Sequence, residues 1–127
     1  MKKDARRLKV GILGCGPIAQ FAHLQSCVKA RNAELHAICD AAPDLLARMA
    51  ATWEPTKSFS DYDAMLADDD LDAVIVATSD AFHVPAAIRA LEAGKHVLCE
   101  KPIGTSVEEG EALAAAAAAS GKVRQVG

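Results

Sequence analysis

Lys9-Val10-Gly11-Ile12-Leu13-Gly14-Cys15-Gly16-Pro17-Ile18-Ala19 is the stretch from which the rest of the chain can be read. Residues 9–13 form an apolar burst of strand length that runs straight into glycine. Pro17 then stands where a helix would begin, at a first-turn position where its missing N–H costs nothing. Between strand and helix lies the pattern G-x-G-x-x-A. In such a turn Gly14 permits the tight bend and Gly16 lets backbone N–H groups approach a pyrophosphate. Ala19 is small enough for helix and strand to pack closely. The helix start adds unsatisfied N–H donors and partial positive charge, which suits phosphate.

The alternation of strand and helix continues outward from this stretch. A helix is expected from Pro17 to about Val28, a strand over 35–39, and a second proline-led helix over 43–53. A short strand over 56–59 follows, then a brief helix through Leu66, with Ser60 as its cap and Asp61 and Asp63 at its positive end. Residues 73–77, Ala-Val-Ile-Val-Ala, are continuously apolar, as a strand covered on both faces requires. A helix over 82–93 should stop at Gly94, and a strand follows over 96–99. Ser106 and Glu109 form a capping box that opens a helix to Ser120, closed by Gly121. Its alanine run, 114–119, reads as plain helix. A last strand is expected over 123–126. Six strands joined by crossovers predict a doubly wound α/β parallel sheet with helices on both faces, the Rossmann arrangement, in one domain spanning 1–127.

Composition agrees and excludes other classes. The chain has 127 residues, 51% hydrophobic, so a core is within reach and disorder is not expected. Fourteen basic residues against seventeen acidic ones leave a net charge of −3, which points to neither nucleic acid nor an anionic membrane. Lys2, Lys3, Arg6 and Arg7 read as a solvated tail. The apolar stretch between Arg7 and Cys15 is interrupted by Lys9 and Gly11, too short for a secretion signal, and no run reaches a membrane span. Cys15, Cys27, Cys39 and Cys99 form no close pair, so buried, reduced thiols in a cytoplasmic setting are expected, and no metal site. Asp68-Asp69-Asp70 reads as an exposed turn, since three adjacent side chains cannot converge on one ion. His23, His36 and His96 read as packing or surface residues.

A carboxylate, Asp40, ends the second strand 24 positions after Gly16. That spacing suits acceptance of hydrogen bonds from an adenosine ribose diol, although capping of the following helix is the plainer role for it. A carboxylate would repel a 2′-phosphate, and no arginine follows at once, so NAD is favoured over NADP as the cofactor.

The sequence resembles the glucose–fructose oxidoreductase/inositol dehydrogenase/rhizopine-catabolism (Gfo/Idh/MocA) oxidoreductases from Lys9 to Gly127. The resemblance rests on the glycine stretch, on residues 71–78, on His83, and on residues 93–102 with their Glu100-Lys101-Pro102 tripeptide. It implies an NAD-binding domain whose cofactor contacts include Gly14, Gly16, Pro17, Ile18, Ala19, Asp40, Thr78, Ser79, His83, Glu100 and Lys101. The family usually has proline where Ser79 stands. Lys101 would be the catalytic residue, touching the substrate hydroxyl and the nicotinamide ribose, with Pro102 aiming it. The resemblance also implies a sugar or polyol substrate in the full-length parent, and a C-terminal substrate domain that this chain lacks. Alone, the chain is then expected to bind cofactor without turnover. Two other readings stand beside this one. The first is a non-catalytic dinucleotide-binding regulatory protein. The second is an engineered module that forms a homo-oligomer through the surface a second domain would cover.

Overall fold

The computed structural model describes residues 7–16, 23–78, 80–99 and 106–126. In chain order these form strand β1 (Leu8–Leu13), helix α1 (Leu24–Lys29), β2 (Ala33–Cys39), α2 (Pro43–Trp53), β3 (Lys57–Phe59) and α3 (Tyr62–Leu66). Then come β4 (Ala73–Val76), a 3₁₀ turn (Asp80–Phe82), α4 (His83–Glu92), β5 (His96–Cys99), α5 (Val107–Ser120) and β6 (Arg124–Val126). All strand pairs are parallel, in the order β3-β2-β1-β4-β5-β6, so the expected doubly wound sheet is what forms.

Most boundaries fall within two residues of those expected, and the exceptions have local causes. The cap of α3 is Asp61, not Ser60: its carboxylate accepts the Ala64 N–H at 3.3 Å. Ser106 does cap α5, accepting the Glu109 N–H at 3.2 Å, and Gly121 closes that helix with φ +69°. The helix expected from Pro17 is described only from Leu24 onward.

The sheet divides two apolar clusters. On one face α1 and α2 pack Leu24, Cys27, Leu45 and Leu46 against Ile12, Leu35 and Ile38. On the other, α3, α4 and α5 pack Met65, Ala87 and Leu113 against Ala37, Val74 and Val97. Right-handed crossovers dictate this division. Winding from β1 toward β3 lays helices on one face, and winding from β4 toward β6 lays them on the other. The first face is therefore bare over β5 and β6 among the described residues, while Ile75 of β4 stays within the first cluster. An open apolar hollow of about 270 Å³ lies there, walled by Leu8, Val10, Ile75, Leu98 and Val123.

The β1–β2 ladder carries one irregularity among the described residues. The pairing of β1 with β2 slips between Val10 and Gly11, which face Leu35 and Ala37, so His36 is an extra residue in β2. Such a bulge re-aims a side chain. Gly11, opposite it, leaves room for the core: a Cβ there would come 2.8 Å from Leu71 Cδ1 and 3.1 Å from Met65 Sδ.

Candidate functional site: the crevice at the strand-order reversal

The strand order reverses between β1 and β4, and in open parallel sheets a crevice forms at that point, beyond the carboxyl ends of the strands. Gly14 follows β1, Asp40 follows β2, and Thr78 lies just beyond β4, so three of the expected site residues reach this edge.

Gly14 has φ +96°, a backbone state that side chains disfavour. Its N–H donates to the Cys39 carbonyl at 2.8 Å. On the other side it presses against β4, where a Cβ would stand 2.6 Å from the Ala77 carbonyl oxygen. The turn is thus wedged between the ends of β2 and β4, and only glycine fits. Gly16 differs: among the described residues a Cβ there would meet nothing within 4 Å. This space beside a glycine-lined turn fits the approach of a diphosphate, and the arrangement is compatible with a dinucleotide.

Asp40 is engaged at both oxygens. Oδ2 accepts the Cys15 N–H at 2.8 Å, and Oδ1 accepts the Ala42 N–H at 2.9 Å. Asp40 thus ties the glycine turn to the residue before α2 but does not cap that helix, whose N-cap position is held by Ala42 without a side-chain cap bond. Cys15 itself is fully buried; burial first, then the nearby Asp40 and Cys39, pushes its thiol up to about 12. Burial likewise raises Cys27 to about 11, and Cys39 to about 11 with help from Asp40. All four cysteines are buried and unbridged, and at neutral pH these three are inert thiols.

His83 opens α4 with its ring only 2% exposed, and its Nε2 lies 2.9 Å from the Thr78 carbonyl oxygen. In the tautomer with a proton on Nε2 the ring donates to that oxygen, pinning the segment after β4 to the start of α4. The Cys99 thiol, at the end of β5, lies 3.8 Å from the His83 carbonyl. Pro17, Ile18, Ala19, Ser79, Glu100, Lys101 and Pro102 lie outside the described residues.

The matched family decides the assignment. Residues 8–127 match the family described as the oxidoreductase family with an NAD-binding Rossmann fold, GFO_IDH_MocA. The chain belongs to this family. An uncharacterized oxidoreductase of Rhizobium meliloti, ORF334, is 39% identical over 102 residues, 80% of this chain and 30% of that protein. The scyllo-inositol 2-dehydrogenase (NADP(+)) IolU of Bacillus subtilis is 35% identical over 100 residues, 79% of this chain and 30% of that one. Among solved structures, scyllo-inositol dehydrogenase from Lactobacillus casei with bound NAD(H) and scyllo-inositol superposes with a TM-score of 0.89. It is 31% identical, covering 96% of this chain and 36% of that one. This Gfo/Idh/MocA chain thus spans about a third of the length of the relatives it matches, and residues 8–127 are its NAD-binding Rossmann fold.

Two features of this oxidoreductase domain were not foreseen from the residues. One is the Cys15 N–H as a partner of Asp40. The other lies away from the crevice: the bulged His36 places Nε2 2.8 Å from Asp68 Oδ2, which also takes Lys57 Nζ at 3.1 Å. The expectation of an exposed aspartate turn is therefore corrected at its first member, because the Asp68 side chain is only 7% exposed. Lys95, itself buried, donates to the carbonyls of Asp68 and Leu71 at 2.9 Å each and fixes the same turn. His96 lies at the opposite end of the sheet from the crevice, its Nδ1 accepting the Val123 N–H at 3.1 Å. Among the described residues no three His, Cys, Asp or Glu side chains could hold a metal ion, and no helix is long and apolar enough to cross a membrane.

Proposed function

We propose that this chain is the cofactor domain of an NAD-dependent dehydrogenase acting on a secondary alcohol of a sugar, inositol or related polyol. The observation that carries the cofactor choice is Asp40, whose carboxylate is held beside the glycine turn by the Cys15 N–H at 2.8 Å. A carboxylate there accepts hydrogen bonds from a ribose diol and repels a 2′-phosphate, and Ala41 and Ala42 bring no compensating cation. The relatives include proteins named for NAD(H) and for NADP(+), so the preference rests on this residue.

In this reading Gly14, Gly16, Pro17, Ile18 and Ala19 cradle the diphosphate, while Thr78, Ser79 and His83 border the cofactor after β4. Glu100 and Lys101 stand at its nicotinamide end, following β5. The bound nicotinamide supplies the acceptor for hydride. The cationic Lys101 orients the substrate hydroxyl and stabilises the oxygen as negative charge develops on it. Substrate positioning accounts for much of the rate in such reactions, so residues 1–127 assayed by themselves should bind cofactor without turnover. Its buried, unbridged thiols suit a reducing, cytoplasmic setting.

The test is thermal unfolding of the purified chain with NAD and with NADP at matched concentrations. Ligand at a hundred times its Kd stabilises by about 2.7 kcal/mol, so the better cofactor gives the larger rise in Tm. NAD should win. Equal or reversed shifts would remove Asp40 from the ribose site. Sizing the same samples shows whether copies associate.

A further inference from the structure

The inference drawn here deepens the dinucleotide reading and rests on it. Asp40 joins two segments through backbone N–H groups: Cys15 of the glycine turn binds Oδ2, and Ala42 at the start of α2 binds Oδ1. We propose that Asp40 is a positioning residue for the diphosphate cradle, in addition to accepting from the ribose. On this account cofactor selectivity and cradle shape are one feature that cannot be altered separately.

The Gly14 N–H is taken by the Cys39 carbonyl, and the next N–H, that of Cys15, by Asp40. Two successive donors are thus anchored to the end of β2, which sets the direction in which the Gly16 amide points. The second anchor is charge-assisted and so about twice as strong as a neutral hydrogen bond. Without it, the part-buried Cys15 N–H would lose its partner, and the turn would shift to recover one.

The same tie stiffens discrimination. A carboxylate has about four acceptor positions, so two backbone donors leave room for ribose hydroxyls. It cannot, however, rotate away from a 2′-phosphate without releasing both amides. A side chain free to swing would discriminate less.

Two ligands and one amide separate these roles. ADP carries the ribose diol, and 2′,3′-dideoxy-ADP lacks the hydroxyls that Asp40 would grip. In Asp40→Ala the affinity for ADP and also that for dideoxy-ADP should fall, the latter by about threefold to tenfold. Hydrogen exchange at the Cys15 amide, read by NMR without ligand, should accelerate by about tenfold. An unchanged dideoxy-ADP affinity together with unchanged Cys15 exchange would overturn the positioning role, however far ADP affinity dropped. If the unsubstituted chain binds neither nucleotide, the dinucleotide reading fails, while Cys15 exchange still decides the tie. Where alanine prevents folding, Asp40→Asn serves: the two donors sit on different oxygens, and one of these becomes an NH2 group that cannot accept, so the Cys15 or the Ala42 amide must lose protection. Retention of both would sink the proposal.

Discussion

Gly14 and Gly16 belong to one motif, yet the structure gives them different tasks. Gly14 combines φ +96° with a Cβ position 2.6 Å from the Ala77 carbonyl, so Gly14→Ala forces backbone apart. It should cost roughly 1–3 kcal/mol, read as a lower denaturant midpoint. Gly16→Ala meets no described atom within 4 Å; it should leave that midpoint nearly unchanged and weaken NAD binding by intruding on the crevice. A Gly16 variant as unstable as the Gly14 variant would contradict this division. The strand and the tight turn at Gly14 were legible in the sequence because glycine spacing is itself the physical constraint. The Cys15 N–H was not, since a backbone donor leaves no trace in residue identity. Asp40 drew notice by its spacing from Gly16, but the capping expected of it does not form, because its oxygens are taken by the Cys15 and Ala42 N–H groups, neither of them inside α2.

At the scale of elements, apolar runs located all six described strands, and caps located α5 but set the cap of α3 one residue early, because burial and capping are local needs that neighbouring residues can share. What stayed hidden was the bulge in β2. A single extra residue leaves the apolar pattern of Leu35, Ala37 and Ile38 readable as an ordinary strand, while His36 is turned toward Asp68. Asp68 looked like one of three solvated aspartates for the same reason: its partners are far along the chain. The pair has a measurable consequence. Burial alone would raise the Asp68 carboxyl, but hydrogen bonds from His36, the Asp70 N–H and Lys57 outweigh it and hold it at about 2, below its ordinary 3.8. A carboxyl whose folded value is depressed contributes stability above its unfolded value, and that contribution disappears as pH falls through the folded value. Stability should therefore drop between about pH 4 and pH 2, and Asp68→Asn should flatten that part of the profile. Parallel profiles for the two proteins in urea titrations across this range would show that the pair is energetically idle.

For the whole molecule, strand count and parallel pairing were readable from the number and length of connections. The consequence of reversing direction after β3 was not, since it concerns which regions the helices fail to cover. With β1 and β2 sandwiched between helices and β5 and β6 open on one side among the described residues, amide exchange should be slowest in β1, β2 and β4 and faster in β5 and β6. Uniform protection across all six strands, measured by exchange mass spectrometry, would mean that the open side is covered in solution. The hollow beside Ile75 and Leu98 has a thermodynamic counterpart as well. Apolar surface that is already hydrated in the native state releases no further heat-capacity increment when the chain unfolds. The curve of stability against temperature should consequently be flatter than for a domain of this length with both faces of its sheet fully layered. Shielding that quadrant from water would steepen the curve.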